Sequence, residues 1–100
     1  MLKHIVFIKL KDVYSSEEKE LILNEITFRL NKLPNEIEQI LKLETGRNIS
    51  TRPSAFDISL SVSFNKEKDL NIYLVHPKHK EVLSYLSTLK LETAVVDYII

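Results

Sequence analysis

The stretch from residue 56 to residue 64 most narrows the folds open to this chain. Phe56, Ile58, Leu60, Val62 and Phe64 are apolar, while Asp57, Ser59, Ser61 and Ser63 between them are polar. Successive side chains of a strand point to opposite faces, so a period of two writes a strand with one face buried. Such a strand is not stable alone. It needs neighbouring strands and a layer that covers its apolar side.

The rest of the chain supplies both. Residues 3–10 alternate His4, Val6, Ile8 and Leu10 with Lys3, Ile5, Phe7 and Lys9. Neither set is wholly polar, which predicts a central strand covered on both sides. Ser15-Ser16-Glu17-Glu18 is a helix start, with Ser15 as N-cap and Glu18 as its reciprocal partner three residues on. Ile22, Leu23, Ile26, Leu30 and Leu33 then give one apolar stripe, and Pro34-Asn35 is expected to end the helix. Leu41, Leu43 and Thr45 against Lys42 and Glu44 predict a second strand closed by Gly46, and Arg47 to Ser54 a polar loop.

After the Phe56–Phe64 strand, residues 66–74 read as a short helix carrying Leu70 and Tyr73. His76-Pro77 interrupts it, and Pro77 suits the first position of a new helical segment with His76 as its start. Val82, Leu83, Leu86 and Leu89 give that segment an apolar side, and residues 93–100 form a last strand rich in β-branched residues. The order is β-α-β-β-α-β. It predicts an α+β ferredoxin-like sandwich, a four-stranded antiparallel sheet with its helices on one face. One hundred residues allow one domain, residues 1–100.

That architecture leaves the other face of the sheet uncovered. It would carry Ile5, Phe7, Val96 and Tyr98 beside the small Ser59, Ser61 and Ser63, too apolar a patch for a monomer to expose. A homodimer pairing this face with itself is the expected solution, since a two-fold dimer is the commonest closed assembly.

Charge and composition exclude several functions. Fourteen basic and fourteen acidic residues cancel, which argues against a nucleic-acid partner. Cysteine is absent, so there is no disulfide framework, thiolate metal site or cysteine nucleophile. The run Ile5-Val6-Phe7-Ile8 is too short for a signal peptide, and no stretch approaches a membrane span. A cytoplasmic protein is expected.

Asp97 falls by parity with Val95 and Ile99, on the face against which helices pack. A carboxylate there is expensive to bury unpaired and calls for a partner such as a histidine. His4 shares its face with Val6, Ile8 and Leu10, either bonded to a backbone carbonyl or presented to a pocket. His4, His76, His79 and Asp97 are ligand types for zinc and similar ions, but the His-Pro step explains His76 as a helix start. No metal is expected.

Four short motifs recur together in one family: Lys3-His4-Ile5-Val6, Gly46-Arg47-Asn48, His76-Pro77-Lys78-His79 and Val95-Val96-Asp97-Tyr98. On these the chain resembles, end to end, the stress-responsive A/B barrel domain proteins of the dimeric α/β-barrel superfamily. The resemblance implies a dimer whose two sheets form a barrel, and no cofactor. Many members are known only as stress-associated proteins, and one plant type is a polyketide cyclase. Carried over from that cyclase, the catalytic base corresponds to His79, the catalytic tyrosine to Tyr73, the first-strand histidine to His4, and the aspartate orienting the base to Asp97. The pocket walls correspond to Val6, Ile8, Ile22, Leu23, Ile26, Leu60 and Val62, with His76 among the lining residues. The cyclase's aromatic helix positions are aliphatic here, and its glycine-rich stretch reads Lys80-Glu81-Val82, which implies a different substrate.

Two functional readings follow. In one, the dimer binds a small apolar or aromatic metabolite, and His79 is a buried latch tying helix to last strand through Asp97. In the other, the protein is a cofactor-independent cyclase-like or monooxygenase-like enzyme. There His79 removes a proton beside a carbonyl while Tyr73 holds the oxygen where charge develops.

Overall fold

A computed structural model describes residues 1–100. The elements run β1 (Leu2–Leu10), α1 (Ser16–Glu36), β2 (Lys42–Arg47), β3 (Ile58–Phe64), α2 (Glu67–Val75), α3 (Pro77–Leu86) and β4 (Leu91–Ile99). The four strands form one sheet in the order β2-β3-β1-β4, every neighbouring pair antiparallel. This is the ferredoxin-like arrangement. β1, apolar on both sides, is central as its sequence requires, and β2 and β4 are the edges.

The register sets rows across the sheet. Val62 on β3, His4 on β1 and Asp97 on β4 lie abreast, and two residues along so do Leu60, Val6 and Val95. These point toward the helices. The intervening rows, Ser61–Ile5–Val96 and Ser59–Phe7–Ala94, point to the open face. Leu2, Ile8, Leu10, Ile58, Leu60, Val62 and Phe64 pack under Leu23, Ile26, Leu30 and Leu33 of α1 and Leu70, Tyr73 and Val82 beyond it, forming one core. α1 starts with the complete capping box of Ser15 and Glu18.

Several local features depart from the sequence reading. α1 does not stop at Pro34 but carries it in its last turn and ends at Glu36. Proline here costs the bond to the Leu30 carbonyl and crowds that oxygen, but so near the end it does not stop the last turn; the Ile37 N–H still bonds the Leu33 carbonyl and closes the helix. β2 continues through Gly46 to Arg47, whose guanidinium reaches Asn24 and Glu20 of α1. Leu89 lies beyond α3, in the turn before β4. Phe56 leaves the face of Ile58, because the chain becomes a strand only at Ile58. Its ring sits 6.1 Å from Phe7 instead, on the open face.

The open face is as apolar as its sequence implied: Phe7, Val96 and Tyr98 are all exposed. Gly46 lies abreast of Ser59, and a Cβ there would come within 2.9 Å of the Ser59 Oγ. This corner of the face has room for small residues only.

Candidate functional site

The break between α2 and α3 positions the first groups of the site. His76 caps α3, its Nδ1 accepting from the Lys78 N–H at 3.1 Å, and Pro77 takes the first helical position. α3 therefore sets off at an angle to α2, and His79, one turn in, swings back over the end of α2. Its Nδ1–H donates to the Leu74 carbonyl at 3.2 Å. A carbonyl only accepts, so this bond fixes the proton on Nδ1 and leaves Nε2 as the free nitrogen.

Tyr73, almost wholly buried, stands between two imidazoles. Its ring centroid is 4.3 Å from that of His79 and 5.8 Å from that of His4, the latter edge to face. His4 in turn donates from Nδ1 to Asp97 Oδ1 at 2.5 Å. The structure corrects one expectation here. Asp97 orients His4, its neighbour across β1 and β4, and not His79, whose anchor is backbone. Parity gave the face of Asp97 correctly, but the register decides its partner.

These groups form the inner end of a cleft of about 270 Å³. Val6, Ile8 and Leu60 form its floor, Val82, Leu83 and Leu86 of α3 one wall, and Thr93 and Val95 of β4 the other. Of the expected lining residues, Val6, Ile8 and Leu60 are there with His4, Tyr73 and His79. Leu23, Ile26 and Val62 are spent in the core and Ile22 packs against it, while His76 is a helix cap. The cleft lies between α3 and β4, and α1 contributes only Leu30. The α3 wall was visible in the sequence as an apolar side; nothing local in the sequence says that it faces a cleft and not the core. No cluster of three or more metal-ligating side chains is present, and no helix is long and apolar enough to cross a membrane.

Burial sets the protonation of the site. It lowers the pKa of His79 below its ordinary 6.5, the Leu74 bond opposing and His4 and His76 adding to the effect. His79 is thus neutral at pH 7, with a lone pair on Nε2. Burial also pushes the Tyr73 phenol above its ordinary range, so it stays a hydrogen-bond donor. No side-chain nitrogen or oxygen in the protein is both sealed from solvent and unpartnered; the polar groups here are either bonded or open to the cleft.

The sequence model of the stress responsive A/B barrel domain matches residues 2–100. The chain belongs to that family. A stress-response A/B barrel domain-containing protein of Arabidopsis thaliana is 30% identical over 102 residues, covering 99% of this chain. The chain spans about half the length of that relative, 47%. Among solved structures, a dimeric protein of unknown function from Bacteroides fragilis superposes with a TM-score of 0.89 at 33% identity, covering 99% of this chain and 95% of its own. The hydroxynitrile lyase of Passiflora edulis superposes with a TM-score of 0.81, covering 99% and 92%, but at 19% identity it shares the fold alone.

Proposed function

We propose that this A/B barrel protein is a homodimer that holds a small, largely apolar compound in the cleft, with the compound's carbonyl or hydroxyl set against Tyr73 and His79. One observation carries the reading: two imidazoles and a phenol converge at one end of an otherwise apolar cleft, each imidazole tied through Nδ1 so that Nε2 is left for a ligand. Few, well-placed polar groups in an apolar cavity are the usual pattern of a small-molecule site. The dimer is supported by the exposed apolar face and by the dimeric Bacteroides relative. To test it, short alkyl and aryl ketones are titrated into labelled protein and followed by NMR. Shifts gathered on Tyr73, His79 and Leu83 support the site; shifts scattered over the surface, or none with any ketone, refute it.

A second reading, proton transfer at a carbon beside the bound carbonyl, is favoured by the neutral state of His79. Its Nε2 takes the proton, the electron pair moves onto the carbonyl oxygen, and the Tyr73 hydroxyl stabilises that oxygen. The Passiflora enzyme supports the idea that this scaffold can carry catalysis. Exchange of ketone α-protons with deuterated water measures it. Exchange lost in His79→Ala, with fold and ketone binding kept, supports catalysis; equal exchange in both proteins leaves only binding.

A further inference from the structure

The unpartnered apolar surface is not confined to the open face. Val96 and Tyr98 lie on that face of β4, but Val95, 54% exposed and lining the cleft, and the exposed Ile99 lie on its helix side. A partner laid only on the open face would leave them wet and the cleft open along β4. Both β2 and β4 also have an unpaired edge, and closing a barrel is the one arrangement that removes edges altogether.

Side-chain size decides which edges meet. On the open face Lys3, Ile5 and Phe7 of β1 stand abreast of Ser63, Ser61 and Ser59 of β3. Two packed sheets fill the space between them by interdigitation, large against small. A two-fold axis running along the strands, between β1 and β3, sets Ile5 and Phe7 against the serines of the other copy. An axis across the strands sets β1 on β1 and serine on serine, which leaves voids. The first axis brings the partner's β2 beside β4, antiparallel and row for row.

In this chain Arg47 is level with Ile58, Ile8 and Thr93. The same level in the dimer places the partner's Arg47 near Thr93. The partner's Ile49 comes two positions further on. Ile49 is 97% exposed, the most exposed large apolar side chain in the molecule. Its level is the row of Leu10 and Leu91, next to the cleft's apolar end at Ile8, Leu86 and Thr93.

We infer that the second copy completes the site: the partner's Ile49 covers the outer end of the cleft beside Thr93, so each ligand is held by both chains. This rests on the homodimer read above. The protein has no cysteine, so two differently tagged chains, Ile49→Cys and Thr93→Cys, can be mixed and treated with a short bismaleimide. The expected product is a mixed dimer joined 49 to 93, with Leu91→Cys, level with Ile49, as a second acceptor. A sample that is dimeric by native mass spectrometry yet links only 93 to 93, only 49 to 49, or not at all overturns the shared site and leaves the dimer standing. A monomer overturns both.

Discussion

Removing the carboxylate of Asp97 tests the pairing that most sharply separates the structure from the sequence reading. In Asp97→Ala the buried His4 loses the acceptor of its Nδ1–H. A hydrogen bond to a charged group contributes about 1.5–3 kcal/mol. Asp97 is 38% exposed on its side chain, so water can replace part of the bond and the loss is discounted to about 1–2 kcal/mol. For a domain of this size that is a fall in Tm of about 5–10 °C. Asp97→Asn keeps an acceptor oxygen and should lose less than half as much. Thermal unfolding gives the magnitude, and long-range nitrogen–proton spectra of the imidazoles identify the ring. His4 should lose its bonded Nδ1–H signature while His79 keeps its own. A variant in which the His79 ring responds and His4 does not, or in which Tm does not move, refutes the assignment.

Three other outcomes follow from the same structure. Because burial lowers the His79 pKa below 6.5, the unfolded chain binds the proton more readily. Stability therefore falls as pH drops from about 6.5 through the lower folded value, and His79→Gln should flatten that part of a stability-versus-pH curve. Ile26→Ala opens a cavity at a fully buried core position and should cost about 2–5 kcal/mol in urea unfolding, with the midpoint moving and the slope unchanged. Val96→Glu puts a charge on the open face, in the row of Ile5 and Ser61, and sedimentation equilibrium should show its assembly weakened at least tenfold; an unaffected dimer places the interface elsewhere.

Much of this was legible in the chain because local chemistry and global fold agree. The serine-spaced β3, the Ser15–Glu18 box and the His76-Pro77 break each name their own structure. What stayed hidden depends on distance. Parity alone put Asp97 on the helix side, but choosing between His4 and His79 needs the β1–β4 register, and no local signal carries it. Ile22, Leu23 and Ile26 look as apt for a pocket as Val82, Leu83 and Leu86 do. Which set is sealed and which lines a cleft depends on α1 covering β2 and β3 while β4 stays uncovered. Phe56 misled because alternation was extended past the point where the strand begins.

The bond between His4 and Asp97 joins positions 93 residues apart, and it has a kinetic meaning. Contacts so remote must offset the entropy of closing a loop that spans nearly the whole domain before they return any stability. On the ribosome, β1 emerges before the other three strands yet cannot be flanked on its second side until β4 has been made. The helices and the β2–β3 pair can form early; the polar end of the cleft can form only when the final strand docks. An ordered His4 ring is therefore a natural reporter for the last event of folding.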